Sequence, residues 1–498
     1  MTTRSAKVEE AHLEEFGYSQ TLARTMGVLR STMVNVSTSS VTTAVFTLFA
    51  YGLLTGGTAF VWTWAIGFLV LLLVTIMFAE LGSSMPIAGA LYQWASRLVG
   101  PKYGYVTGWI YIAAQVAITA AVAYGIAPFV GSLFDATLTT GQTQLVAGGF
   151  IVVCTIINLL GVRVASTVVT IGAIAEVVAM IVLTAVLIFS INQPVDILVH
   201  SQGLPSGAAF LPVALATLLF GSWAYTGLEM TTAMAEETED ASKIIPRAAI
   251  TSLTTTFAVG MVFLIVAVLA IPNLHAVLAS SNPLQTIIEG STSAGFYKAI
   301  LAVVVVAVFV CTMSNQALTA RVIFSLGRDG RLPFKNAVMH VPGSTKVPDV
   351  STIVVGVLAI VLLLFTKAIA TIAVASLTAI FVAYMLVIWG QLFQRMRGGW
   401  RPDAWSVGRS SMLINVLAAV LGTALTLNIA WPRGGSEIVW YNRWAGFLFI
   451  GAAVVLAGAY YVLGGAEARK AINSPLPGMK PQAPAASGQA PVAPARAL

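Results

Sequence analysis

The sequence predicts an all-α membrane protein with about twelve transmembrane helices. Three observations predict this class. The 498 residues are 58% hydrophobic and only 9% charged, whereas soluble domains carry roughly 25% charged residues. The apolar residues gather into stretches of about 20, the length at which a helix crosses a bilayer. Lys and Arg fall in the short segments between those stretches, so a basic patch for nucleic acid is not indicated.

Twelve stretches have the length and apolarity of a span, and they must be helices because backbone exposed to lipid has to satisfy its own hydrogen bonds. They lie at residues 36–57, 61–83, 104–131, 144–164, 166–191, 209–235, 247–271, 297–325, 349–366, 368–392, 410–430 and 442–464.

The distribution of Lys and Arg predicts the orientation. If the twelve spans alternate, all but four of the 26 basic residues face the same side. The four on the other side are Lys298, Lys367, Arg433 and Arg443. Because short cytoplasmic loops carry the excess of positive charge, both termini of this multi-pass cell-membrane protein are predicted to be cytoplasmic.

The same pattern divides the chain. We predict a cytoplasmic N-terminal segment, a core of ten helices in two halves, two further helices, and a Pro- and Ala-rich tail that is disordered. The respective boundaries are 1–34, 35–392 (halves 35–191 and 209–392), 410–464 and 465–498. The polar segment 272–296 faces outside, includes a short helix near 284–290, and is either an external cap or an ordinary loop.

Polar residues inside spans are costly and mark candidate sites. Seven of the nine residues 35–43 at the start of span one are polar. Ser and Thr compete for backbone hydrogen bonds, so this run is either a break in the helix or a helix with hydroxyls bonded back to its own carbonyls. In span six, Gly221 and Gly227 flank a small and aromatic cluster before Glu229, which indicates either an unwound centre or close helix packing.

Interrupted segments at matching positions of two halves are the best sequence indicator of a transport site. Glu176 lies near the middle of span five, where an unpaired charge is expensive. It is therefore either a carrier of protons or a neutral acid bonded to a neighbouring helix. The acids that follow span six are either a solvated helix end or a gating network with Arg24, Arg30 or Arg97; they are Glu236, Glu237, Glu239 and Asp240.

Three segments resemble a known family. They are FAELGSSMPIAGALYQWASRLVGPKYGYVTGW (78–109), WAYTGLEMTTAMAEETEDASKIIPRAA (223–249) and RVIFSLGRDGRLPF (321–334). They resemble the amino acid–polyamine–organocation superfamily, and within it the amino acid/choline transporters that include GABA permeases.

The resemblance implies a LeuT-type fold, with inverted five-helix repeats and a site at the bilayer midplane between broken spans one and six. It implies that substrate is bound by Ser37, Thr38, Ser39 and Ser40 of span one and by Trp223, Ala224, Tyr225 and Glu229 of span six. The chain departs from the family in two ways. Its span-one run lacks Gly, and Glu176 stands where several relatives carry a Lys.

The function these features imply is a secondary permease for an amino acid or related small amine such as GABA. Uptake coupled to protons through Glu176 is the favoured mode. Sodium is the alternative coupling ion, with Thr312 and Ser314 as its hydroxyl ligands. The alternatives are import of choline, ethanolamine or a polyamine, and obligate amino acid exchange.

Other classes have less support. An ion channel would need a ring of pore-lining residues, and a membrane enzyme would need catalytic groups at depth. The sequence has no histidine in a span, no metal-ligand spacing around Cys154 and Cys311, and no glycine-rich phosphate motif. We therefore predict no enzymatic activity, metal or cofactor; the predicted partners are the substrate, a coupling ion and membrane lipid, and nucleic acid is not expected.

Overall fold

The computed structural model describes residues 10–199, 202, 204, 210–280, 282–365, 369–433 and 439–479. All regular elements within these ranges are helices, which confirms the all-α prediction. Ten helical segments in the described residues are long and apolar enough to cross a membrane, and two shorter apolar helices lie at Leu211–Trp223 and Asp349–Phe365. These two coincide with predicted spans six and nine, but the count of twelve spans stays a prediction.

Eight α-helices lie between residues 28 and 188, after a short helical stretch at residues 10–15, and two of the eight form span one. They are α1 Val28–Ser39, α2 Val41–Gly56, α3 Trp62–Ser84, α4 Ala90–Leu98, α5 Pro101–Tyr124, α6 Ala127–Leu133, α7 Thr140–Leu159 and α8 Val162–Ile188.

The second half begins with the two helices of span six. Its helices are α9 Phe210–Trp223, α10 Met230–Ala233, α11 Ala241–Leu269, α12 Leu274–Ala279, α13 Pro283–Ser291, α14 Ala294–Arg328, α15 Lys335–Val338, α16 Asp349–Phe365 and α17 Ile369–Met396. The remaining helices are α18 Ser411–Ala430, α19 Trp440–Arg443, α20 Ala445–Leu463 and α21 Gly465–Asn473.

Span one is surrounded by the helices that carry the other candidate residues. Helix α1 packs on α8, α11 and α14, and α2 packs on α9. The outer surfaces of the bundle carry large exposed aliphatic side chains, such as Ile171 on α8 and Val455 on α20. A soluble protein would bury such side chains, whereas lipid solvates them.

The predicted short helix of the segment 272–296 is present as α13. Its side chains Leu284, Ile287 and Ile288 are buried, and it adjoins a cavity of about 160 Å³ that Phe46 and Phe129 also line. The segment therefore lies against α2 of span one, and its role as an external cap stays a prediction because it depends on the orientation.

The end of the chain differs from the expected disordered tail. Residues Gly465–Asn473 form α21, with Ala468 and Ile472 buried, and Leu476 beyond it is 2% exposed. These few apolar side chains pack against the bundle, so a composition rich in Ala and Pro does not leave residues 465–479 unfolded. Residues 480–498 lie outside the described residues.

Candidate functional site

The first span is broken at Ser40. Helix α1 ends at Ser39 and α2 begins at Val41, and Ser40 between them has φ 23° and ψ 98°, a conformation that non-glycine residues rarely adopt. The Ser40 hydroxyl accepts from the amide of Thr43 at 3.1 Å and so caps α2. The run of hydroxyl residues therefore makes a break, although Thr38 does bond back to the carbonyl of Val34 at 2.7 Å.

The second break lies in span six. Helix α9 ends at Trp223, and the chain continues without helix to Met230. Gly227 has φ +79°, and a Cβ there would lie 2.4 Å from Cγ2 of Thr38, so only glycine fits beside span one. Gly221, by contrast, lies inside α9, where a Cβ would lie 2.1 Å from the carbonyl oxygen of Thr63. The sequence left open an unwound centre or close helix packing, and each alternative applies to one glycine. Gly227 makes the break, and Gly221 permits close packing on α3.

The two breaks touch each other. The hydroxyl of Ser39 donates to the carbonyl oxygen of Thr226 at 3.2 Å. The amide of Asn315 on α14 lies 3.5 Å from the carbonyl oxygen of Thr38, and the thiol of Cys311 lies 3.6 Å from the same oxygen. The Thr38 carbonyl at the end of α1, which has no partner in its own helix, is therefore met by α14, whereas span six accepts from the Ser39 hydroxyl.

Glu176 joins the two parts of span one. One of its oxygens, Oε1, accepts from the Ser40 hydroxyl at 2.7 Å and from the backbone amide of Thr42 at 2.9 Å. The side chain is completely buried, and Oε2 has no hydrogen-bond partner among the described residues. The positive end of the α2 dipole stabilises a negative charge at this point. The backbone amide of Thr42 at the start of α2 thus contacts the protein's own acid.

Glu229 is enclosed by neutral donors. Tyr111 of α5 donates to Oε1, as does the amide of Gln115 at 3.0 Å. Tyr384 of α17 donates to Oε2 at 2.6 Å, and its own oxygen accepts from the amide of Gly227 at 2.9 Å. Glu229 therefore ties the span-six break to α5 and α17.

The other predicted site residues differ in their surroundings. Ser37 accepts from the hydroxyl of Ser314 at 3.2 Å, so one predicted coupling residue does meet the span-one run. Thr312 instead donates to the carbonyl of Val308 in its own helix at 2.8 Å. Tyr225 donates to the backbone of Trp64 at 3.2 Å and so packs on α3. Trp223 and Ala224 are both buried at the end of α9.

Tyr111 and Tyr384 are part of this site but are not among the residues the sequence singles out. A tyrosine in an apolar span has the same appearance in sequence whether its hydroxyl binds a carboxylate or a backbone carbonyl. Among the described residues, no group of three or more His, Cys, Asp and Glu side chains is placed to hold a metal ion.

A network of ion pairs lies at the side of the bundle that the N-terminal segment contacts. We call this side of the bundle the terminal side. Arg321 of α14 binds both oxygens of Glu237 at 2.9 and 3.2 Å, and both side chains are buried. Arg328 binds Glu236 at 3.0 Å. Both arginines lie on span eight. The sequence analysis considered Arg24, Arg30 or Arg97 as the partners of these acids, and for Glu236 and Glu237 that prediction is wrong.

Both ends of the chain reinforce the terminal side. The amides of Thr25 and Met26 donate to the carbonyl of Glu237, each at 2.9 Å. Burial and the neighbouring Asp329 carboxylate raise the pKa of Tyr18, whose hydroxyl donates to that carboxylate at 2.9 Å. At the other end, Arg331 donates to the carbonyl of Ser474 at 2.9 Å.

Comparisons with known proteins agree with this architecture. Residues 16–460 match the family described as amino acid permease. An amino-acid permease from Arabidopsis thaliana, BAT1, is 25% identical over 85% of this chain and 89% of its own length. The GABA-specific permease of Saccharomyces cerevisiae is 24% identical over 73% of this chain and 68% of its own. The serine/threonine exchanger SteT of Bacillus subtilis is 24% identical over 69% and 77% respectively.

Proposed function

We propose, from the premise that the chain belongs to the amino acid permease family, that it brings an amino acid or related small amine such as GABA into the cell with protons. The family establishes a multi-pass membrane protein and amino acid transport across a membrane. The proposal adds that the termini are cytoplasmic, that uptake is coupled to protons, and that the mechanism is alternating access between the two broken spans.

The observation that carries the proposal is the position of Glu176. Its ionised carboxylate holds the ends of α1 and α2 through Ser40 and Thr42. A proton on this acid removes the charge that the α2 amide stabilises, and so weakens the hold on the break. Because the span-one break also contacts span six, protonation of one acid alters the place where both spans meet.

The unpaired oxygen of Glu176 also supports the alternative of a cationic substrate. Oε2 is buried without a partner among the described residues, and an ammonium group of the substrate could supply one. A substrate ammonium at this point would favour GABA, ethanolamine or a polyamine over substrates bound through their carboxylate alone, whereas choline, whose nitrogen has no N–H, would offer Oε2 only its positive charge.

Obligate exchange is a second candidate because one relative is named a serine/threonine exchanger. An exchanger returns to its starting state only when loaded, so it shows counterflow without net accumulation. Sodium coupling has weaker support, since the Thr312 hydroxyl binds its own helix and Ser314 binds Ser37.

The test is uptake into proteoliposomes under an imposed pH gradient without sodium, comparing GABA, choline, ethanolamine, putrescine and neutral amino acids. We expect accumulation of one substrate that collapses with the gradient. Glu176→Gln should abolish this accumulation while preserving counterflow, because the amide keeps the shape but carries no exchangeable charge. Glu289→Gln, the same change on an exposed acid, is the matched control. Equal, intact accumulation by wild type and Glu176→Gln would refute the proton role.

A further inference from the structure

A second cavity lies on the side of the bundle opposite the terminal side. Its volume is about 370 Å³, which at ~30 Å³ per water corresponds to roughly a dozen water molecules. Tyr51 of α2 and Leu219 of α9 line it, together with Val374 of α17. The cavity therefore adjoins the outer helices of both broken spans, and it is separate from Glu176 and from the ion pairs of the terminal side.

Two arginines line this cavity. Arg433 donates to the side-chain oxygen of Asn428 at 2.6 Å, and the amide of Asn428 donates to the carbonyl of Leu215 on α9 at 2.8 Å. The guanidinium is thus held beside span six. The Nε of Arg443 is buried and has no hydrogen-bond partner among the described residues.

Neither arginine forms an ion pair with any described acid. Burial lowers the pKa of Arg433 below its ordinary value, since water is withdrawn from the cation and no carboxylate replaces it. A partly desolvated guanidinium usually finds a carboxylate or phosphate partner, because its planar fork matches two oxygens. Among the residues that the structure describes, this cavity therefore has the donors for an oxyanion and no acid that pairs with them; Glu437, between the two arginines in sequence, lies outside the described residues.

The predicted topology makes these two charges more unusual. Only four basic residues are predicted to face outside, and two of them line this one cavity. Of the others, Lys298 forms an exposed pair with Asp135 at 2.6 Å, and Lys367 lies outside the described residues. Positive charge is disfavoured on this side of a membrane protein, so two arginines in one outer cavity favour an anionic ligand there.

We propose that this outer cavity is an entry subsite where Arg433 and Arg443 bind the carboxylate of an incoming amino acid before it reaches the two breaks. The inference rests on the proposed function and on the predicted orientation. Cations at the mouth of a path raise the local concentration of an oppositely charged group and its rate of association. The phosphate of a lipid headgroup has the same oxyanion chemistry and is the other source to be distinguished.

A binding measurement tests the subsite without relying on transport. Purified protein in neutral detergent is treated with phenylglyoxal, and modification of Arg433 and Arg443 is followed by mass spectrometry. GABA should slow the modification of both arginines, whereas propylamine, which lacks the carboxylate, should not. Lack of protection by GABA, or equal protection by propylamine, would overturn the proposal whether or not the protein proves to be a proton-coupled permease.

Transport kinetics then locate the subsite on the path. Arg433→Gln and Arg443→Gln should raise the KM for GABA counterflow from outside about tenfold at low salt, with the maximal rate unchanged. The difference should shrink at physiological salt, where charges are screened beyond about 8 Å. Lys298→Gln removes one charge from the same side and should leave the KM unchanged.

Three results would contradict the entry role. An equal change in Lys298→Gln would assign the effect to the general surface potential. A change seen only in liposomes of anionic lipid, and absent in phosphatidylcholine, would assign the arginines to a lipid headgroup. A change in the KM for efflux rather than influx would place the cavity on the cytoplasmic face.

Discussion

Loss of the charge on Glu237 should open the terminal side of the protein. Arg321 binds this carboxylate through three hydrogen bonds of 2.9–3.2 Å, and the two side chains are 2% and 0% exposed. The pair joins α14 to the segment that follows the span-six break. In the proposed alternating-access mechanism, span six separates from α14 when this side opens, so we expect the pair to stabilise the closed conformation.

The expected size of the effect follows from the burial of the pair. Removing one partner of a buried ion pair costs about 3–5 kcal/mol. Glu237→Gln keeps one acceptor for the guanidinium, so we expect about 2–3 kcal/mol, or a shift of about 30- to 140-fold at 1.4 kcal/mol per tenfold. The shift favours the conformation in which this side is open.

The chain contains a natural reporter for that conformation. It has two cysteines, and Cys311 is buried against the carbonyl of Thr38 at the end of α1. In a Cys154→Ser background, Cys311 is the sole thiol. A hydrophilic maleimide added from the terminal side should react with Cys311 tens of fold faster in Glu237→Gln. The labelling rate follows the population of the open conformation, which the loss of the buried pair increases.

Two controls separate gating from general loss of stability. Asp135→Asn breaks an ion pair whose partners are 75% and 43% exposed, and such pairs contribute about 0–1 kcal/mol, so labelling should not change. The charge-swapped double variant Glu237→Arg with Arg321→Glu should restore slow labelling. A variant that loses thermal stability while Cys311 stays equally protected would show that the pair is structural and does not gate.

Three further changes probe the breaks and the chain end. Gly227→Ala places a Cβ 2.4 Å from a methyl group of span one at φ +79°. Backbone strain and overlap cost about 2–4 kcal/mol, so initial uptake rates should fall at least about tenfold. The control Gly295→Ala, which has open space at its Cβ, should transport normally. Tyr384→Phe removes the hydroxyl bound to Glu229 and leaves a buried acceptor without a donor, at a cost of about 1–3 kcal/mol. Counterflow should slow at unchanged expression, and normal counterflow would exclude a role for this contact. Leu476→Asp places a charge at a 2% exposed position and should detach the chain end. Maleimide labelling of Cys311 from the terminal side should then be faster, and unaltered labelling would show that the chain end does not hold this side closed.

The sequence predicts the helices well because lipid imposes a strong and local requirement on composition. Each predicted span overlaps a helix of the structure, and the largest differences are at the ends. Span one starts earlier than predicted, at Val28, and α14 extends to Arg328. Helix ends of this kind contain charges that hydropathy assigns to loops: Arg328 lies beyond the predicted span 297–325, yet it is part of α14 and binds Glu236.

The positions of the breaks were also predictable, but their contacts were not. A run of hydroxyl residues and a glycine at positive φ are local signals, so they indicate where a helix stops. That Glu176 reaches Ser40, or that Tyr384 bridges Glu229 and Gly227, depends on which face each helix turns to its neighbours. The local sequence of a helix does not determine which of its faces contacts which neighbouring helix. The role of the predicted substrate-contact residues therefore stays a prediction.

The two kinds of charged site in this protein differ in a way that fits their tasks. The acids at the breaks, Glu176 and Glu229, are held by hydroxyl and amide donors. The acids of the terminal side, Glu236 and Glu237, are held by arginines. A buried carboxylate that gains a proton while bound to arginine leaves an uncompensated cation, which costs several kcal/mol. Tyrosine, serine and backbone donors leave no charge behind, so the acids at the breaks can change protonation within a closed bundle, whereas the arginine pairs can separate only when that side of the bundle opens to water.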